Sequence, residues 1–483
     1  MIRNRDTRAS VTAKIDGILD EWGGIINEPA PTTWGGVRTR LNKVEAYNSL
    51  PAIAAKDSGS SAREKINALL SLENYRKLDL DFVNDQFLLI GPGGASGRIA
   101  DFVNFSRASD ATYFDASGAM QTAASNEWRL DHDPATGEAL GYRAEGGGTN
   151  LMPWSSDLSQ AIWSMTNWTA TPGQPSFKPG EAATLLTSLG GNGNVRTNNI
   201  AIPGSAVTAS VYVRKVTGPT DANQFAARNA SRGETWNIVN LNYDTLATTN
   251  AGGVKIATTE FLARRLADEW AQIAFRNSAD ISAAENFWLY LLAAGNTVPA
   301  DQAALAFGAH IRTGAVLDSY IPTAGAAATR AADNLSHAIP VATEGTVAIR
   351  ARTALGRGAQ QVLWQADAGN STSSNRVVIA RSSNGEIICL VNYDGVDVVT
   401  LDLGSAADGL EIDVAFSWMQ GRFAASLNGG EPVVETSYTG PVPALSRGFA
   451  GGVNGDSAWF GTIARTTLLD HALSPEQLQD IAP

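Results

Sequence analysis

The chain has 483 residues, 44% hydrophobic and only 17% charged, with 36 Lys and Arg against 48 Asp and Glu for a net charge of −12. Such a chain can build real cores, which excludes global disorder, and an acidic chain without a basic block grips a phosphate backbone poorly, so nucleic acid is not an expected partner. A single cysteine, Cys389, excludes an internal disulfide framework. The start "MIRNRDTRAS" has no apolar leader and no 18-residue apolar run follows, so synthesis in the cytoplasm without a secretory signal or membrane span is expected.

Residues 1–77 read as helical. Val11, Ile15, Ile18, Leu19 and Trp22 share one helix face, which Gly23-Gly24 stops. Trp34, Val37, Leu41 and Val44 form a short heptad-like seam ended by Pro51, and Ser61-Ala-Arg-Glu64 is a capping box ahead of Ile66, Leu69 and Leu70. Three short amphipathic helices bury too little to stand alone, so this segment is expected to dock on a partner or to trimerise.

After Lys77 the period changes. "LDLDF" alternates Leu78, Leu80 and Phe82 with Asp79 and Asp81, as a strand does. The 47 glycines favour turns, and clusters such as "GPGGASG", "GGNGN", "SSNG", "NYDG" and "LNGG" separate short alternating runs. "TASVYVRK", "NFWLYLLAA", "TVAIRAR", "NRVVIAR" and "EIICLVNY" read as strands; "TTEFLARRLADEW" is ambiguous, and the terminal "SPEQLQDI" is helical. Many short strands with Gly-rich turns predict β-sandwiches or jelly rolls. The small, polar stretch "TAGAAATRAADNLSHAIP", residues 323–340, reads as a linker between two of them.

Chemistry is sparse. In "RLDHDPATGEALGY", Arg129 to Tyr142, His132 stands between Asp131 and Asp133, which is one form of a metal site or general base. Asp-Pro followed by Thr-Gly is turn chemistry, however, and on an extended strand the two aspartates point away from His132, so the segment is read as structural. No nucleophile elbow, phosphate loop, zincin helix or Cys/His cluster is present, and His132, His310, His337 and His471 are scattered. Glycoside hydrolysis needs only two carboxylates, which keeps a polysaccharide depolymerase as the alternative reading, although the β-helix repeat common in such enzymes is missing.

Three stretches carry a family resemblance. "FSRASDATYFDASGAMQTAASNEWRLDHDPATGEALGY", followed by "GGGTNLMPWSSDLSQAIW", resembles a block shared by tail-fibre and head-spike proteins of tailed phages and of phage-like gene transfer agents. "FGAHIRTGAVLDSYIPTAGAAATRAADNL" is similar to the block that closes a carbohydrate-binding-module-like jelly roll in those proteins, and the run from "EGTVAIRAR" to "LSPEQLQDI" is similar to a concanavalin-A/laminin-G-like lectin sandwich. The resemblance implies a virion-surface protein. It gives the "DHDP" segment no catalytic role.

Sugar binding by a sandwich rests on aromatic rings flanked by planar polar side chains. Alternation puts Trp288 and Tyr290 opposite Phe287, Leu289 and Leu291; it pairs Tyr212 with Arg214 and His310 with Arg312. If those strands are neighbours, Tyr212, Arg214, Trp288, Tyr290 and His310 line one polar–aromatic surface, which Trp236 could join; otherwise the face packs under a loop or a neighbouring subunit. In the last domain, "NYDG" (392–395) and "NGDSAWFG" (454–461) are turns of the kind that hold calcium or sugar in related lectins, with Trp459 as the stacking candidate. Trp163 and Cys389 read as core, and Trp154, Trp270 and Trp418 as core or collar residues.

The expectation is therefore a mainly β chain: a helical attachment and oligomerisation region (1–77), a β-rich connecting region (78–150), a carbohydrate-binding-module-like jelly roll (151–334) and a lectin-like sandwich (335–483). It is read as a non-enzymatic adhesin for host capsular polysaccharide, homo-oligomeric, bound to other virion proteins through its helices and requiring no cofactor beyond an optional structural calcium. The alternatives are a depolymerase and a purely structural spacer.

Overall fold

The computed structural model describes residues 77–481 except 92–93, 203–204, 221–222, 232–233, 253–258, 282–284, 370–372 and 453–456, so the helical reading of residues 1–76 lies outside it. Period-2 alternation becomes strand almost throughout: the runs singled out above fall in Lys77–Asp81, Ser205–Thr217, Glu285–Thr313, Gly345–Arg352, Arg376–Arg381 and Glu386–Tyr393. The ambiguous "TTEFLARRLADEW" is the strand Thr259–Arg265 followed by a single 3-10 turn. Cross-strand pairing decides it, because Phe261 lies opposite Phe275 with ring centroids 5.0 Å apart. "SPEQLQDI" is the helix Pro475–Ile481; Ser474 and Gln477 cap it reciprocally, and Leu478 is buried against Ala348, Ala415 and Ala424. Among the described residues no helix is long and apolar enough to cross a membrane.

The C-terminal sandwich is built from both ends of the chain. One sheet runs Ala95–Gly97, Gln86–Ile90, Lys77–Asp81, Thr462–Leu469, Gly345–Arg352, Glu411–Met419, Arg422–Leu427 and Val433–Glu435 in spatial order. The other runs Val396–Ser405, Glu386–Tyr393, Arg376–Arg381, Gln361–Asp367, Leu445–Ala450, Asn334–Ala342 and Val103–Ser106. Phe82, Ile349, Leu363, Trp364, Ile379, Cys389, Phe416 and Trp418 fill the space between them. Leu80 is registered with Thr466 and Phe105 with Leu335, so the region 78–150, expected to connect, supplies strands to this sandwich. The jelly roll is thus inserted between two halves of one core. The joint is also ionic: Arg465 Nε donates to Asp79 at 2.9 Å across 386 residues of sequence.

In the jelly roll the long strands Ala183–Thr197 and Glu285–Thr313 run through both sheets. The first part of Glu285–Thr313 pairs with Asn223–Asn229, which leads on to Glu234–Leu241; its last part pairs with Ser205–Thr217, which leads on to Ala271–Ile281. Val211, Val213, Phe225, Ala227, Val239, Ile273, Phe287, Leu289 and Ile311 meet in the core between the sheets. Gly308 interrupts the alternation of the long strand. Its φ of +64° belongs to the left-handed region, and a Cβ there would stand 2.9 Å from Tyr212 Cδ2.

Residues 323–340 are not a free linker. Ala328–Arg330 pairs with Gly148–Asn150, and Asn334–Ala342 lies inside the seven-stranded sheet. Between those strands a buried ion cluster locks the jelly roll to the sandwich. Arg107 Nη1 and Asp333 Oδ1 are 2.9 Å apart, Arg129 reaches both Asp333 and Glu145, and Arg330 Nη1 lies 2.8 Å from Glu145. Ser319 donates from its backbone N–H and its hydroxyl to the same Glu145 carboxylate, at 2.8 and 2.6 Å. Burial alone would raise the Glu145 carboxyl, but Arg143, Arg330 and Arg129 together hold it well below the usual carboxylate range. The conspicuous sequence blocks "RASD", "RLDHD", "LDSYIPT" and "TRAAD" are the parts of this lock.

Candidate functional site

The structure divides the expected polar–aromatic surface in two. Tyr212 does point away from the jelly-roll core, but the hairpin of Ala111–Phe114 and Met120–Ala123 and the loop carrying Phe177 cover it. Its ring packs on Phe177, Phe307 and Tyr320 and is only 2% exposed. His310, 3% exposed, lies on the same covered sheet with Nδ1 3.8 Å from Asp318, and burial pushes its imidazole down to about 4. Arg214 is half-buried with its guanidinium 5.6 Å from the Trp270 ring centre. Tyr212 and His310 are therefore structural, because the connecting region occupies the face that alternation left open.

Trp459 is corrected in the same way. It is fully buried, and its indole Nε1 donates to the carbonyl of Arg352 at 2.9 Å, so it ties its loop to the strand Gly345–Arg352 and has no face to offer a sugar. Asn392 to Gly395 is a hairpin turn closed by Gly395 N–H to Asn392 Oδ1. Trp163, Trp270 and Trp418 are buried, whereas Trp154 is half-buried and lines an open cleft of about 500 Å³ with Asp157, Glu181 and Thr184. The acids of that cleft are engaged: Asp157 accepts from Ser159 and Gln160, and Glu181 pairs with Lys178 at 2.9 Å. His132 accepts no metal-like company; its Nδ1 meets the carbonyl of Phe114 at 3.0 Å, and Asp133 caps the turn through Ala135 and Thr136. Among the described residues no group of three or more His, Cys, Asp or Glu side chains is placed to hold a metal.

Trp288 and Tyr290 stand together on the outer face of the other sheet, both half-buried, with ring centroids 6.2 Å apart in an edge-to-face pair. The sheet faces outward here because Phe287, Leu289 and Leu291 take the core side of the same strand. The flanking strands add what alternation within one strand could not reveal. Arg228 is registered with Trp288 on one side, and Arg196 with Tyr290 on the other. Both guanidiniums lie over the indole, 4.0 Å (Arg196) and 5.0 Å (Arg228) from its ring centre, and the indole Nε1 donates to Asn199 Oδ1 at 2.6 Å. Trp288 is thus a post that holds two guanidiniums rather than a bare stacking plate. Trp236 lies in the adjacent strand Glu234–Leu241, registered with Ala227; its side chain is outside the described set.

No protein-family model matches this chain, and no curated protein matches it. Among solved structures it is similar to the CBM40 of the Ruminococcus gnavus IT-sialidase bound to alpha2,6 sialyllactose, at 18% identity and TM-score 0.25 over 30% of this chain and 85% of that one. It is also similar to domain 4 of AbnA, a GH43 extracellular arabinanase from Geobacillus stearothermophilus in complex with arabinotriose (16%, TM-score 0.25, 35% and 82% covered). A third is the heptameric SAP-like pentraxin from Limulus polyphemus (15%, TM-score 0.24, 30% and 72% covered). At these values the likenesses carry no argument about ligand or activity.

Proposed function

We propose that this chain is a polysaccharide-binding adhesin of a virion or phage-like particle, with its saccharide site on the outer face around Trp288 and Tyr290. The observation that carries the reading is the grouping on one sheet face of two half-buried aromatics, Arg196, Arg228 and Asn199: rigid rings beside planar donors and acceptors, the side-chain types that recognise sugar hydroxyls. The particle setting rests on the resemblance of the junction motifs to phage fibre and head-spike proteins, and it assigns residues 1–76 to attachment. A single shallow face binds weakly, and many copies on one particle raise avidity through effective concentration. The chain binds the polymer without cutting it.

The test uses the full chain on host cells with and without their capsule. Retention by capsule-bearing cells alone, with the capsular polymer keeping its length, supports the adhesin. Progressive shortening of the polymer would replace this reading with a depolymerase, and equal absence of binding to both cells would leave a structural spacer.

A further inference from the structure

Resting on that saccharide reading, we infer that the ligand of the Trp288 face is an anionic saccharide, one carrying carboxylate or sulfate groups. The argument is the pairing of two guanidiniums without a counter-charge on one indole. Many arginines of the fold, Arg107, Arg129, Arg330 and Arg465 among them, face a carboxylate at ion-pair distance; others, such as Arg264, Arg265, Arg352 and Arg422, donate to amide or carbonyl oxygens instead. Among the described residues Arg196 and Arg228 face no carboxylate, and they lie together over the Trp288 ring. Arg196 Nη1 donates only to the carbonyl of Thr197, at 3.1 Å, and to Asn198 Oδ1, at 3.4 Å. Arg228 meets no carboxylate among the described residues, and its Nε is shielded from water without an acceptor.

Asn194, Gln224, Asn240 and Tyr290 around them carry no acid, and the Glu285 carboxylate at the end of the Trp288 strand accepts from Asn229 Nδ2 at 2.6 Å. Two guanidiniums braced by one indole are preorganised forks, and a guanidinium fork matches a carboxylate or sulfate with two parallel N–H donors. A neutral sugar would leave both charges unmatched. An anionic one supplies the counter-charge that Arg107, Arg129 and Arg330 find within the fold.

The experiment measures binding of the full chain to polygalacturonate, to dextran sulfate, to neutral dextran and to single-stranded DNA, for the wild type, for Arg196→Gln/Arg228→Gln and for Trp288→Ala. The expected result is binding to at least one of the two anionic polysaccharides, at least tenfold weaker binding to dextran and DNA, and loss of the anionic binding in the double arginine variant at unchanged melting temperature. Polygalacturonate and dextran sulfate separate carboxylate from sulfate. Dextran bound as tightly as the anionic polymers, and unaffected by the arginine changes, overturns the inference while the saccharide face stands. DNA bound as tightly as the polysaccharides, or no anionic polysaccharide bound at all, also overturns it. Polysaccharide binding that survives both Trp288→Ala and the double arginine change sinks the underlying site as well.

Discussion

Asp333→Asn removes one charge from the centre of the buried lock. Asp333 accepts from Arg107 Nη1 at 2.9 Å, from the backbone N–H of Glu145 at 2.9 Å and from Arg129 Nη2. Asparagine keeps one acceptor oxygen and turns an NH2 group either towards the Arg107 guanidinium or towards Arg129 and the Glu145 backbone N–H. Arg107 and Arg129 are then left in the interior, each with 0% side-chain exposure and without that counter-charge. Breaking a buried pair by removing one partner costs about 3–5 kcal/mol. Arg129 retains Glu145, so the lower end applies, about 3 kcal/mol, or a fall of roughly 6–12 °C in melting temperature for domains of this size. Differential scanning calorimetry of the full chain reads it directly. The exposed pair Arg98–Asp85, 2.6 Å apart with Arg98 75% exposed, is the control, and Arg98→Ala should leave the transition in place. A shift below about 2 °C for Asp333→Asn would show that the cluster does not lock the two parts together.

Four further expectations follow, three from the same structure and the last from the particle reading. Burial pushes His310 and His337 down to about 4, so both are neutral when folded and gain a proton on unfolding. Their contribution is complete above the unfolded value of 6.5 and is lost as pH falls towards about 4, by roughly 3 kcal/mol each; thermal melts from pH 7 to 4 should show it, and a His310→Gln/His337→Gln variant with the same pH slope would contradict it. Gly308→Ala should cost about 1–3 kcal/mol, from its positive φ and the contact with Tyr212, measurable by urea titration. Tyr212→Ala should cost about 3–5 kcal/mol of stability while the remaining folded protein binds saccharide as before; a selective binding loss would return Tyr212 to the site. A chain beginning at Lys77 should fold and bind cells yet fail to join particles, and normal incorporation would remove the attachment role from residues 1–76.

What the sequence disclosed was local. Alternation in "NFWLYLLAA" correctly separated Trp288 and Tyr290 from Phe287, Leu289 and Leu291, and turn chemistry at Asp133-Pro134 matches the turn that Asp133 caps. What it could not disclose was which strand lies beside which. Leu80 and Thr466 are neighbours only because the two chain ends share a sheet, and no period-2 pattern carries that information. Tyr212 failed as a site residue for this reason: its strand does present it outward, but a hairpin more than 90 residues upstream, near Phe114, closes over it. Arg196 and Arg228, in "NVRTNN" and "AARNAS", looked ordinary until strand pairing set them on either side of one indole. The Ala-rich stretch at 323–340 misled as a linker because its two informative residues, Arg330 and Asp333, owe their importance to partners more than 180 residues away in sequence.

The central claim is that the Trp288 face holds a polysaccharide, and Trp288→Ala in the full chain tests it most directly. The ring is half-buried and outside the core, so the fold should keep its melting temperature, while Arg196 and Arg228 lose their brace. Binding to capsule-bearing cells should fall at least tenfold, a loss of about 1.4 kcal/mol or more at the site. Undiminished binding by a normally melting Trp288→Ala protein would contradict the account.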